Sequence, residues 1–201
     1  MSGSVASLIE NARREGRPAL DEKDGKSCLS VFGITVPKSV VVECAADGWK
    51  ACENLTPPFA VKGMSRDVLH KSDKGAVRLN LTNNDEVVTA IAEIETALSA
   101  HTNNIDGYLI EEMVPAGQEL VIGGVRDPQF GPLIMVGLGG IFVEVLADVA
   151  FRVCPINRAD AIQMLDELKG SALLDGVRGQ SAVDREAVVD VLLKVGGEGG
   201  L

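Results

Sequence analysis

Between Glu119 and Val153 the apolar residues come in short runs, most of them broken by glycine, proline or aspartate. A helix of ordinary length does not survive such punctuation, whereas antiparallel strands joined by turns require it. Glu119 to Arg126 and Leu133 to Val136 read as strands. Asp127-Pro128-Gln129-Phe130-Gly131-Pro132 between them is turn chemistry, so the pair reads as a hairpin. Gly137-Leu138-Gly139-Gly140 makes a second turn, and Ile141 to Leu146 and Ala150 to Val153 extend the sheet. Tyr108 to Met113 forms a further strand, ending at the turn Pro115 to Gly117.

The first half follows another rhythm. Val5 to Arg14 and Asp21 to Phe32 have helical spacing, with Asp21 as N-cap and Gly33 closing the second helix. Ala45 to Asn54 and Asp184 to Val195 also fit helices. So does Asp160 to Leu168, with Ile162, Leu165 and Leu168 expected inside. The clearest helix follows Asn83 or Asn84, with Val87, Val88, Ile91, Ile94, Ala97 and Leu98 on one side. Phe59 to Lys62 and Ala76 to Leu81 read as strands, the second with Val77, Leu79 and Leu81 on one side. Ile34 to Val42 is extended. The fold class is therefore α+β, in three parts: short N-terminal helices (1–33), a first lobe (34–104) and a second lobe (105–201).

Composition excludes several functions. The chain has 201 residues, 46% of them apolar, enough for a real core. Its net charge of −10 argues against a nucleic-acid or polybasic membrane surface. Aromatics are 3%, too few for base-stacking platforms. The four cysteines (Cys28, Cys44, Cys52, Cys154) lack metal or redox spacing and are expected to be reduced thiols. Neither a signal peptide nor a membrane span is visible, and a soluble cytoplasmic protein is expected.

Several residues can carry chemistry. Lys62 ends an apolar strand beside Gly63: it is either a solvated strand-end lysine or a fixed ammonium for phosphate oxygens. His70 lies in a loop with Lys71, Ser72, Asp73, Lys74 and Gly75, where cations, a hydroxyl and flexible backbone can surround a phosphoryl group. A neutral imidazole there is a nucleophile toward phosphorus, and Asp73 can orient it. Glu111, Glu112 and Met113 leave a strand, where backbone N–H and C=O groups can meet an adenine edge. Glu119 starts the next strand and can accept from ribose hydroxyls. The plain alternative for each glutamate is a solvated carboxylate. Glu144 and Asp148 can share a side of an extended segment, with a structural role favoured over metal binding.

The segment His70-Lys71-Ser72-Asp73-Lys74-Gly75-Ala76-Val77-Arg78-Leu79-Asn80-Leu81 resembles a motif of the ATP-grasp β subunit or domain of ADP-forming acyl-CoA synthetases. So do Asp127 to Pro132, Gly137 to Asp148, Phe32 to Pro37 and Leu174 to Gly179. The resemblance implies an ATP-grasp fold with nucleotide between two α+β lobes, and the reaction acyl-CoA + ADP + phosphate ⇌ acid + CoA + ATP. It implies that His70 carries the phosphoryl group. Lys62 would take nucleotide phosphates, with Lys71 and Gly75 beside it, Glu111 to Met113 would form the adenine hinge, and Glu119 would bind ribose. ATP or ADP and Mg²⁺ are the implied cofactors, and a CoA-binding α subunit in a hetero-oligomer is the implied partner. Two departures stand out. Ala76 replaces a family glycine, and its methyl is expected to crowd the backbone approach. The family's usual magnesium ligands, near a Glu-x-x-x-Asn-Pro segment, are not found before Leu201, which leaves Glu144 or Asp148 as candidates. That second departure keeps open an alternative, a non-catalytic nucleotide-binding regulatory module.

Overall fold

The computed structural model describes residues 5–67, 74–140, 147–177 and 181–201. They form two compact units. One holds the chain up to Val31 and Thr35–Pro115, and the other holds Phe32–Ile34 and Ala116–Leu201.

In the first unit, helices α1 (Val5–Arg14) and α2 (Glu22–Val31) precede strand β1 (Ser39–Val42). Asp21 caps α2 as expected: its Oδ1 accepts the Asp24 N–H at 2.8 Å. Helix α3 (Ala45–Ala51), strands β2 (Phe59–Met64) and β3 (Val77–Leu81), helix α4 (Asn84–Ser99) and strand β4 (Gly107–Glu112) follow. The four strands make one antiparallel sheet in the order β1-β4-β2-β3. β4 lies between β1 and β2, so the first unit runs to Pro115, beyond the 104/105 boundary expected from sequence. The N-terminal helices belong to the same unit.

Phe59, Val61, Tyr108 and Ile110 point from one sheet face onto Val87, Ile91, Ile94 and Leu98 of α4, making an aliphatic core. Asn83 caps α4 by accepting the Glu86 N–H at 3.0 Å. On β3 the expected alternation fails. Phe59 pairs with Leu81 but Val61 pairs with Arg78, so β3 holds one residue more than β2 across this register, and Asn80 sits at φ 60°. This bulge turns Leu79 outward, 53% exposed, while Leu81 packs on the core. Ala76 is fully buried in that core and its carbonyl accepts the Gly63 N–H at 2.8 Å, so its methyl is accommodated. Gly75 before it takes φ +66°, a conformation that favours glycine.

In the second unit, strands β5 (Leu120–Asp127), β6 (Gly131–Leu138) and β7 (Val149–Val153) form an antiparallel meander. The β5–β6 turn is the expected one. Asp127 Oδ1 accepts the N–H groups of Gln129 and Phe130, and Gly131 adopts φ +79°. Ile134, Val136, Leu138 and Ala150 pack with buried residues of helices α5 (Arg158–Asp166) and α6 (Arg185–Gly196). α5 begins earlier than expected because Asn157 and Asp160 form a capping box. The face turned to the sheet carries Ala161, Met164 and Leu165, with Leu168 just past the helix end, and leaves Ile162 38% exposed, contrary to the expected inward Ile162. Asp184 caps α6 by accepting the Ala187 N–H. Lys194 of α6 donates to the Gly33 carbonyl at 2.7 Å, which holds Phe32–Ile34 to this unit. Among the described residues no helix is long and apolar enough to cross a membrane. All four cysteines are free.

Candidate functional site

Strand alternation puts Val61 into the core and Lys62 on the opposite sheet face. Lys62 faces Leu109, and Ala60 faces Glu111, so Lys62 and Glu111 are diagonal neighbours on that face. Helix α2 contributes Glu22 and Lys26, one helical turn apart. Lys62 Nζ donates to Glu22 Oε1 at 2.5 Å and lies 3.6 Å from Glu111 Oε1. Lys26 Nζ donates to Glu22 Oε1 at 2.9 Å and to Glu111 Oε2. The four groups form a closed ring of alternating charge, each partly or largely buried.

The electrostatics follow from this ring. Burial opposes ionisation of Glu22, but hydrogen bonds from Lys62 and Lys26 outweigh it and hold the carboxyl at about 2. Burial likewise works against the charged form of Lys26, and hydrogen bonds to Glu111 and Glu22 overcome it, raising its pKa. Lys62 is thus neither a solvated strand-end lysine nor a buried orphan. Glu111, 7% exposed, is not a solvated carboxylate either.

The sequence alone pointed to Lys62 and Glu111 but missed Glu22 and Lys26. Their four-residue spacing on one helix face was visible, yet it resembles any solvated i,i+4 pair. Only the ion pairs that reach from α2 to β2 and β4 reveal their partners.

The next residues of β4 are tied down differently. Glu112 Oε1 accepts the Thr56 N–H at 2.8 Å, and the Glu112 N–H donates to the Lys38 carbonyl. The Met113 N–H donates to the Pro58 carbonyl at 2.9 Å, and Met113 Sδ accepts the Asn80 N–H. The exposed Val114 follows as the chain leaves the sheet.

In the second unit, Glu119 is exposed just before β5. Its carbonyl accepts the Gly139 N–H at 2.7 Å. A Cβ on Gly139 would stand 2.7 Å from Glu119 Cβ and 2.9 Å from its carbonyl carbon, so this turn needs glycine. Gly140, at φ +67°, runs beneath the Glu119 carboxylate, with Oε2 3.6 Å from where a Cβ would sit.

Asp148 is 5% exposed. Its two oxygens accept the N–H groups of Lys169 and Gly170, both at 2.8 Å. Among the described residues no three or more His, Cys, Asp or Glu side chains gather to hold a metal ion. His70, Lys71 and Glu144 lie outside the described residues, as does the expected strand Ile141 to Leu146.

The family model for the ATP-grasp domain matches residues 11–197. The chain belongs to the ATP-grasp family. It is 41% identical over 191 residues to the β subunit of acetate–CoA ligase [ADP-forming] I of Pyrococcus furiosus, covering 94% of this chain and 82% of that one. The β subunit of isoform II from the same organism is 40% identical, covering 97% of this chain and 84% of that one. Among solved structures, the acetyl-coenzyme A synthetase 1 of Ca. Korarchaeum cryptofilum superposes with a TM-score of 0.91 at 40% identity, covering 94% of this ATP-grasp chain and 84% of that chain. That protein was solved in complex with coenzyme A and Ca-AMPCP, and in another structure with a phosphorylated phosphohistidine segment. The expected ATP-grasp fold is thus the fold of this chain.

Proposed function

We propose that this chain is the nucleotide-binding β subunit of an ADP-forming acyl-CoA synthetase, which interconverts acyl-CoA, ADP and phosphate with acid, CoA and ATP. The observation that carries this is its 41% identity to a β subunit of such a ligase, over nearly the whole of this chain and most of that one. The geometry supports it. Lys62 is a held ammonium, 23% exposed at its side chain, on a rigid central strand. Such a group suits a polyanionic ligand.

In this reading Lys62 neutralises nucleotide phosphate, with Lys71 and the Gly75 backbone beside it. The segment Glu111 to Met113 borders the adenine, and Glu119 accepts from ribose hydroxyls. His70 carries the phosphoryl group. Its P–N bond breaks as an oxygen of the ADP β-phosphate forms the new P–O bond, and the imidazole is released neutral. The reverse transfer phosphorylates His70 from ATP. The work of the protein in such a transfer is positioning and charge neutralisation. Mg²⁺ bound with the nucleotide would neutralise phosphate charge; among the described residues no three or more His, Cys, Asp or Glu side chains gather to hold it. The relatives are named as β subunits, which implies a partner subunit. A CoA-binding α subunit is the partner proposed here.

The test is incubation with γ-phosphate-labelled ATP and Mg²⁺, wild type beside His70→Ala. An acid-labile, base-stable label on wild type alone is expected. One observation favours a second reading, a nucleotide-binding regulatory module: Asp148 spends both oxygens on backbone N–H groups. Nucleotide binding without any label would select that module and overturn the phosphoryl-carrier role.

A further inference from the structure

We propose that Glu22 and Lys26 of α2 are positioning residues for Lys62, setting where its ammonium stands and how much of it remains available to a phosphate. The proposal rests on the reading that Lys62 binds nucleotide phosphate.

A lysine ammonium has three N–H donors. Among the described residues, Lys62 gives one to Glu22 at 2.5 Å, while Glu111 at 3.6 Å is an ion-pair neighbour beyond hydrogen-bond reach. Two donors therefore remain. Lys26 keeps them so. It hydrogen-bonds Glu111 Oε2 and shares Glu22 Oε1, so neither carboxylate relies on Lys62 alone. Without Lys26, Lys62 would be left as the ammonium beside the largely buried Glu111 among the described residues. It would be drawn onto Glu111 as well as Glu22, because leaving a buried carboxylate unpaired is unfavourable. An arriving phosphate, an acceptor of the same kind, would then compete with both.

The contacts also explain why a helix far upstream in sequence is part of this unit. Lys26 and Glu111 are 85 residues apart, and Lys62 and Glu22 are 40 apart. The ring is the point at which α2 reads the position of the β2 lysine.

A double-mutant cycle read by calorimetric titration of the full chain with ADP, and with adenosine as the phosphate-free control, tests this. Lys26→Met is expected to weaken ADP binding about tenfold. Lys26→Arg, which keeps the charge, should stay within about threefold. Adenosine binding should change less than about twofold. In a Lys62→Met background, Lys26→Met should add less than about twofold to the loss of ADP affinity. If Lys26→Met does not fold, Glu22→Gln keeps the side-chain shape and runs the same cycle. It should change ADP affinity at least about threefold with Lys62 present and less than about twofold without it. Equal losses for ADP and adenosine, or losses that add fully to that of Lys62→Met, overturn the positioning role and leave the phosphate reading of Lys62 intact. Unchanged ADP affinity in Lys62→Met alone overturns the phosphate reading itself, and the proposal with it.

Discussion

Adding one methyl group beside Lys62 should strain the first unit in a way that can be measured and relieved. Gly63 follows Lys62 on β2 and faces α4. A Cβ placed there would stand 2.5 Å from Leu98 Cδ1 and 2.8 Å from Ile94 Cγ2. Ordinary contact begins near 3.4 Å, so Gly63→Ala must open the strand–helix gap by 0.9 Å at Leu98 and 0.6 Å at Ile94. Both neighbours are fully buried and boxed in by Val61, Val87 and Ile91, so neither can swing into solvent. Overpacking of this kind destabilises by about 1–3 kcal/mol. Leu98→Ala alone should lose about 2–5 kcal/mol through the cavity it leaves. The two faults compensate, because the new methyl points into the space that Leu98 vacates. In the Leu98→Ala background, Gly63→Ala should therefore lose less than about 0.5 kcal/mol or stabilise the unit, giving a coupling of about 1–3 kcal/mol. Urea unfolding followed by fluorescence reads this directly. Trp49, the sole tryptophan, lies on α3, in the unit concerned. Two penalties that simply add, or a neutral Gly63→Ala, would refute the packing argument. Any shift of β2 also moves Lys62, so the single variant should bind ADP more weakly and the double variant should recover part of that loss.

Two further perturbations probe the half-buried Glu22 and the buried Asp148. The folded-state value of about 2 for Glu22 lies below its ordinary 4.5, so the stability it confers is complete above about pH 4.5 and fades as pH falls toward 2. Discounted for solvent access, that contribution is about 1–2 kcal/mol. The stability gap between wild type and Glu22→Gln should accordingly be widest near pH 6 and close by pH 2 in acid titrations monitored by circular dichroism; a gap constant with pH contradicts the assignment. Asp148→Ala removes the acceptor for the Lys169 and Gly170 N–H groups and should destabilise the second unit by about 2–4 kcal/mol, with Asp148→Asn losing about half as much. Unchanged urea stability, together with lost metal-dependent nucleotide binding, would show that Asp148 serves a metal and not the backbone.

Local chemistry made most of the elements readable from the chain itself. Val5–Arg14 is a helix because its apolar residues recur at helical spacing. Asp21, Asn83 and Asp184 start helices because their side chains accept N–H groups that the first turn leaves unpaired. The Asp127–Gly131 turn is set by an aspartate that binds its own backbone and a glycine at positive φ. Lys62, Glu111 and Glu119 were legible as strand-end charges in a family pattern. What local chemistry leaves open is which elements meet. The bulge at Asn80 depends on the register of β3 against β2, and Ile162 turned outward because α5 packs on its sheet through Ala161, Met164 and Leu165, with Leu168 just beyond it. β4 joined the first sheet because its pairing partners are β1 and β2, a long-range choice with no local signature. Glu22 and Lys26 became part of the Lys62 site for the same reason. A charge on a helix reads as solvated until the fold brings an opposite charge against it, and that pairing exists only in three dimensions.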